Sequence, residues 1–270
     1  MIDWDHLPRI DSATNPRVRQ LALLCERASE RRRLGRAVIE GEHLLSAWLS
    51  LKGAQVKTVY LRPAYRLPDP LTEALSLIGA ECLILSEAVF RRLSSLENSP
   101  GPLAVIEPWA PSCPETIEGD AVYLDRLQDP GNAGTILRSA VAFGVRDVFA
   151  SPGCVDLWSP KVLRAAMGAH PAVRIVQGLA IDALVQRARV PLCATSSHDG
   201  TLISKTDLRA PRIWLLGQEG GGLDWSALTT DRMIKVRIDQ DPAIESLNVG
   251  VAASICLYEQ HRQRHDARQR

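Results

Sequence analysis

The sequence predicts an α/β protein in two parts: a smaller mixed first part, and a second part built on a mostly parallel sheet covered by helices on both faces. Three observations carry this. Short apolar runs alternate with stretches of helical periodicity along the 270 residues, the pattern of strands joined by helical crossovers. The segment EPWAPSCPETIEGD (107–120) places Pro108, Pro111 and Pro114 at every third position, which forbids helix and favours an extended linker. At about 150 residues per domain the length also suits two domains, or one large one. The expected division is 1–107, a proline-rich linker at 108–118, and 119–270.

In the first part a long helix is expected over 12–34, capped by Asn15 with Pro16 in its first turn. Val18, Leu21, Ala22 and Cys25 recur there at helical spacing. Strand 37–39, helix 43–51, strand 56–61, helix 71–77 and strands 82–85 and 103–106 follow. In the second part, short buried strands are expected at 121–124, 145–150, 191–195, 213–216 and 233–238. Ligands of such sheets gather beyond the carboxyl ends of the strands.

Composition narrows the function classes. Apolar residues at 46% and charged residues at 23% exclude wholesale disorder. With 32 Lys and Arg against 31 Asp and Glu the net charge is +1, so contact with nucleic acid has to come from a local basic face. Six cysteines without C-x-x-C and six histidines without H-E-x-x-H give no metal-ligand spacing, and the thiols read as reduced and buried. The start, MIDWDHLPRID, has no apolar signal region, and the longest apolar run (249–257) is about half a membrane span. A soluble cytoplasmic protein is expected. Ser197-His198-Asp199-Gly200 holds triad residue types in adjacent positions, which cannot form a triad, and reads as a turn.

Three clusters follow strands. Asp129-Pro130-Gly131-Asn132-Ala133-Gly134 opens a helix that Asn132 is expected to cap. Arg138, four residues after Gly134, shares its face and leans towards Asn132. Gly217-Gln218-Glu219-Gly220-Gly221-Gly222-Leu223 is a glycine loop without the G-x-G-x-x-G spacing or the lysine of a P-loop. Its acid suits a ligand offering hydroxyls or positive charge rather than a pyrophosphate. Ser246-Leu247-Asn248-Val249 opens a last helix ending near Arg262, with Ser246 as the expected cap and Asn248 in the first turn. Arg31-Arg32-Arg33 with Arg36 could contact phosphate or be a solvated helix end; Arg262, Arg264, Arg268 and Arg270 read as a frayed tail.

Taken in order, N-x-G-x-x-x-R, G-x-E-x-x-G-L and S-L-N-V resemble the three motifs of the SpoU (TrmH-like) ribose 2′-O-methyltransferases of the SPOUT superfamily, over about 119–262. Asn15-Pro16-Arg17-Val18 and Val38-Ile39-Glu40-Gly41-Glu42 resemble the family's L30e-like substrate domain. The resemblance implies a C-terminal α/β domain with a deep trefoil knot, a homodimer, and S-adenosylmethionine (SAM) as methyl donor. It also implies cofactor contacts at Gly217, Ile238, Leu247 and Thr195, and active-site positions at Asn132, Arg138, Glu219, Ser246 and Asn248. RNA contact is expected at Arg31, Arg32, Arg33 and Arg36. One departure stands out: where the family reads Ile-Pro-Met, this chain has Ile238-Asp239-Gln240-Asp241-Pro242, bringing two acids into a loop expected near the cofactor.

The implied activity is methylation of structured RNA, ribosomal RNA ahead of tRNA. The alternative is an RNA-binding or assembly protein that retains the fold without catalysis, and SAM binding separates the two. A nucleotide-dependent oxidoreductase is disfavoured, since the glycine fingerprint and its downstream acid are missing. No metal and no membrane partner are expected. Arg138 is open to two roles, general base or stabiliser of phosphate and developing alkoxide.

Overall fold

The computed structural model describes residues 2–51, 55–94, 101–108, 111–196, 199–223, 228 and 232–268. Two compact units divide the chain: Met1–Trp109 with Trp158–Pro171, and Ala110–Leu157 with Ala172–Arg270. The block expected over 119–270 is thus interrupted, because residues 158–171 group with the first unit.

The first unit begins β1 (Arg9–Ile10), α1 (Pro16–Glu26), α2 (Ala28–Leu34), β2 (Ala37–Glu40), α3 (Glu42–Leu49) and β3 (Val56–Leu61). It continues α4 (Asp69–Leu77), β4 (Glu81–Leu85), α5 (Glu87–Leu93) and β5 (Leu103–Ile106). Its sheet has the order β1-β4-β3-β5-β2. Strands β1, β4 and β3 pair in parallel, and β5 runs antiparallel to both β3 and β2. Leu21, Leu24, Leu83 and Phe90 fill one layer, and Leu45, Trp48, Val59 and Leu75 the other.

The single helix expected over 12–34 is two helices. Asn15 does cap the first, its side chain accepting from Arg17 N at 2.9 Å, but Arg27 is extended (φ −114°, ψ 117°) and breaks the run. After the break, Arg31 turns inward and is 6% exposed.

The second unit has β6 (Ala121–Leu124), α6 (Pro130–Ala142), β7 (Asp147–Ala150), β8 (Arg174–Gln177), α8 (Ile181–Arg187), β9 (Leu192–Ser196), β10 (Thr201–Leu202), β11 (Ile213–Leu216), β12 (Met233–Arg237) and α9 (Val249–Arg268). Helix α7 (Pro160–Ala165) is the helix of the segment that joins the first unit, where it packs on β2. The sheet, β10-β12-β9-β11-β6-β7-β8, is parallel throughout. Its strands read as continuous apolar runs because both faces are covered: β6 and β11 are buried at every residue.

Three further expectations change. The linker is shorter than 108–118: Ile117 is buried, its N–H donates to Arg187 O and its carbonyl accepts from Arg189 N, both at 2.9 Å. Helix α9 runs past Arg262, and Arg264 is no frayed end, since it grips the carboxylate of Asp120 through both terminal nitrogens. Strand β8 has no counterpart in the sequence reading. Trp109, Ala110, Ser197, His198, Arg270 and the side chain of Arg268 lie outside the described residues.

Candidate active site

Strands β6, β9, β11 and β12 end on the same side of the parallel sheet, and the segments that follow them carry every motif of the second part. The first of these segments sets α6. The helix begins at Pro130, and its cap is Asp129, whose Oδ1 accepts from Asn132 N at 2.7 Å. Asn132 therefore sits in the first turn rather than at the cap, as Pro130 in the first helical position requires. Its side-chain amide is left free for other partners.

Both ends of that amide are used. Asn132 Nδ2 donates to Glu219 Oε1 at 2.8 Å, and Asn132 Oδ1 accepts from Asn248 Nδ2 at 2.9 Å. The second carboxylate oxygen of Glu219 accepts from Gln128 N at 3.3 Å. Asn248, not Ser246, caps α9: its Oδ1 accepts from Gly250 N at 2.9 Å and Val251 N at 3.3 Å. One residue from each of the three clusters thus joins a single hydrogen-bonded chain, Glu219–Asn132–Asn248. Burial pushes the Glu219 carboxyl up. The bonds from Asn132 and from backbone N–H groups outweigh this and hold it below the usual range.

Beside this chain lies a cleft of about 560 Å³, within the span of small-molecule sites. Thr195, Gly217, Glu219, Ile238, Ser246, Leu247 and Asn248 all line it. Gly217 has to be glycine: a Cβ there would lie 2.3 Å from Gly222 C, because Gln218 and Gly222 exchange backbone bonds of 3.1 and 2.9 Å across the tight loop. The loop thereby offers backbone rather than side chains to a ligand. Glu219 and Glu245 add negative charge to the lining, which favours a cationic ligand over a phosphate.

Neither acid of the atypical loop after β12 lines the cleft. Gln240 faces the cleft, while Asp239 and Asp241 are absent from it. Asp241 Oδ1 instead accepts from Ala243 N at 2.8 Å, and Gln240 Nε2 donates to the carbonyls of Ile244 (3.0 Å) and Glu245 (3.2 Å). No local pattern in the sequence reveals this strap.

Arg138 stands apart. It is exposed on α6, lines no part of the cleft, and makes no hydrogen bond or ion pair among the described residues. Among the expected phosphate contacts, Arg31 is corrected: its buried guanidinium donates to Leu24 O (2.7 Å) and Cys25 O (3.2 Å) at the end of α1. Arg33 is paired with Glu30 at 2.6 Å, and Arg36 lies 3.6 Å from Glu107. Arg32 is exposed. Among the described residues no cluster of three or more potential metal ligands occurs, and no helix is long and apolar enough to cross a membrane.

Residues 120–258 match the SpoU rRNA Methylase family and residues 15–104 the MRM3-like substrate binding domain. An uncharacterized tRNA/rRNA methyltransferase of Synechocystis is 33% identical, over 94% of this chain and 93% of that protein. The 23S rRNA (guanosine(2553)-2′-O)-methyltransferase RlmP of Bacillus subtilis is 30% identical, over 93% of this chain and 98% of its own. Among solved structures, the AdoMet-bound rRNA methyltransferase of Sinorhizobium meliloti superposes with a TM-score of 0.82 at 27% identity, covering 95% of this chain and 98% of that one. A parallel α/β sheet with this three-part site belongs to an RNA-modifying methyltransferase. The chain is a member of the SpoU rRNA methylase family.

Proposed function

We propose that the chain transfers a methyl group from SAM to a ribose 2′-hydroxyl of 23S-type ribosomal RNA. The observation that carries this is the Glu219–Asn132–Asn248 chain, which fixes three side chains at the edge of a cleft of cofactor size. The residues present suit SAM. The glycine loop offers backbone, Thr195, Ile238 and Leu247 offer a partly apolar wall, and the two glutamates complement a sulfonium and an ammonium group. SAM, when bound, supplies an electrophilic methyl group.

The chain's own residues then orient the acceptor. Asn132 and Asn248, each holding the other, present fixed polar groups to the ribose, and Ser246 adds a hydroxyl from the cleft wall. Arg138 is a group able to move onto RNA, because none of the described residues holds it. Its guanidinium carries five donors and no acceptor, so it serves the developing alkoxide and a neighbouring phosphate better than it would serve as a base. Only RNA offers the 2′-hydroxyl that this arrangement needs.

The reading extends to a trefoil knot at the end of the second unit, an L30e-like fold for the first, a substrate-binding role for that first unit, cytoplasmic residence and a homodimer. Support for the knot is the strand order: β12 lies between β9 and β10 instead of adding at an edge. Support for the RNA role of the first unit is exposed Arg32 on α2.

Calorimetry with EDTA-treated protein should show SAM binding without divalent metal; no binding at millimolar SAM would overturn the enzyme reading. Ribose-methylation mapping of total RNA from a deletion strain should reveal one lost mark in 23S rRNA. A mark lost from tRNA would correct the substrate.

A further inference from the structure

The turn between β6 and α6 is bonded more heavily than a strand-to-helix connection requires. Arg126 has φ 53°, the left-handed region that residues with side chains seldom occupy without a functional or structural constraint. Its N–H donates to Ser151 Oγ at 2.8 Å, and its carbonyl accepts from Gln128 Nε2 at 2.9 Å. The same Nε2 donates to Gly153 O at 2.6 Å. A primary amide nitrogen has two hydrogens, and both are used on carbonyls of two different loops. The backbone N–H of Gln128 meanwhile donates to Glu219 Oε2, whose partner oxygen accepts from Asn132.

We infer that Gln128 is a positioning residue for methyl transfer: its carboxamide ties the Arg126 turn to the Gly153 loop, so that its own N–H holds Glu219 and, through Glu219, Asn132. The inference rests on Glu219 serving the reaction as proposed above. Glutamine is required by donor polarity. Glutamate, of the same shape, would turn an oxygen towards two carbonyl oxygens and break both bonds. Gln128 is absent from the cleft lining, and its loss leaves the charge of Glu219 within that lining, so it acts on the acceptor side through Asn132 and changes donor binding little.

The test is a double-mutant cycle in the full chain with Gln128→Glu, Glu219→Gln and the pair, since only residues that act together depart from additivity. Single-turnover methyl transfer is measured on 23S rRNA from a deletion strain, beside the SAM dissociation constant and the melting temperature. Gln128→Glu should slow the chemical step by about 10- to 100-fold, the scale of a displacement of about 1 Å in a catalytic group. The SAM dissociation constant should stay within about twofold of the parent's; a plain folding defect would instead lower the melting temperature and the SAM-binding fraction together. In the Glu219→Gln background the same substitution should cost no more than about twofold. A Gln128→Glu protein at full rate, or an equal loss in both backgrounds, overturns the inference. If Glu219→Gln alone keeps the full rate, the role given to Glu219 fails first, and the inference with it. Should Gln128→Glu not fold, Gln128→Met, of similar length and without donors, enters the cycle in its place with the same expected outcomes.

Discussion

Arg31 and Arg32 are adjacent in one arginine run, yet the first donates to the carbonyls of Leu24 and Cys25 from a buried position while the second faces solvent. Arg31→Ala should therefore destabilise the first unit by about 3 kcal/mol, since it removes charge-assisted bonds and leaves buried carbonyls without their donor. A thermal melt checks this. Arg32→Ala should leave stability within about 0.5 kcal/mol. It should also flatten the dependence of RNA affinity on salt by about one phosphate contact, a slope change of roughly 0.7 to 0.9. An unchanged slope would remove Arg32 from the RNA face. Arg138→Ala has a different signature. Its exposed side chain is bonded to no other element among the described residues, so melting temperature and SAM affinity should persist while single-turnover transfer falls by about 10² to 10⁴. Arg138→Lys should rescue little, because one ammonium cannot reproduce a planar fork. A stable and fully active Arg138→Ala would refute the role. These positions also mark what the sequence can say about residues. That Asn132, Glu219 and Asn248 share one site is implied by the resemblance that their three motifs carry, and the hydrogen bonds join the three side chains. That Asp129 and Asn248 are the caps was obscured, because each stands within three residues of another good capping side chain, and hydrogen-bond partners decide between them. The burial of Arg31 is not legible in the sequence, because the break at Arg27 rotates the run, and no periodicity reveals a break between two helices one residue apart.

Helices α6 and α9 bring the first and third clusters together, and they do so at close range. Ser139 Oγ and Ser254 Oγ are 2.7 Å apart, and a Cβ on Gly250 would lie 3.3 Å from two carbon atoms of Thr135 and 3.2 Å from Asn248 Oδ1. Gly250→Ala gains helix propensity of about 1 kcal/mol but presses the start of α9 away from α6. The melting temperature should change little while methyl transfer drops severalfold, because Asn248 moves with the helix end. Activity equal to the parent's would show that the gap relaxes at no cost to the site. The glycine loop adds a pH dependence. Glu219 is held below its ordinary value near 4.5 by the bonds from Asn132 and backbone N–H groups, against the opposing effect of burial. A depressed pKa stabilises the fold fully above the ordinary value and loses that contribution as pH falls through the folded one. The Asn132–Glu219 link should thus survive mild acid and fail only as pH falls through the folded value, below the ordinary 4.5, which a carboxyl NMR titration reports directly. At this scale the sequence was most informative where strands are fully buried: β6 and β11 stand out as unbroken apolar runs. Strand β8 carries no such run, because three of its four residues are not fully buried. The two-residue strands β1 and β10 exist only through their pairing, which no local pattern encodes.

The last helix is fastened to the second unit from within. Trp214 Nε1 donates to Gln260 Oε1 at 2.7 Å, Gln260 Nε2 donates to Asp120 Oδ1 at 2.8 Å, and Arg264 grips the same carboxylate. Gln263 Oε1 accepts from Leu208 N at 2.8 Å. The outer face is different in kind. Val251 is 47% and Tyr258 52% exposed, and with His265 they recur every seven residues along one side of α9. Phe143 packs its ring 5.7 Å from both Tyr258 and His261, and His261 lies 4.4 Å from His265. An aromatic and apolar stripe on a helix whose inner face is already satisfied is the surface on which we place the interface of the proposed homodimer. The inner bonds make the test a clean one, because substitutions on the outer face leave the fastening of α9 intact. The parent chain should sediment at micromolar concentration with twice the chain mass. Tyr258→Glu combined with Val251→Asp should sediment as a single chain with secondary structure and melting behaviour preserved, since burying two carboxylates against a second copy is prohibitive. A parent protein that is monomeric at that concentration, or a doubly substituted one that still dimerises, would move the interface elsewhere or remove it.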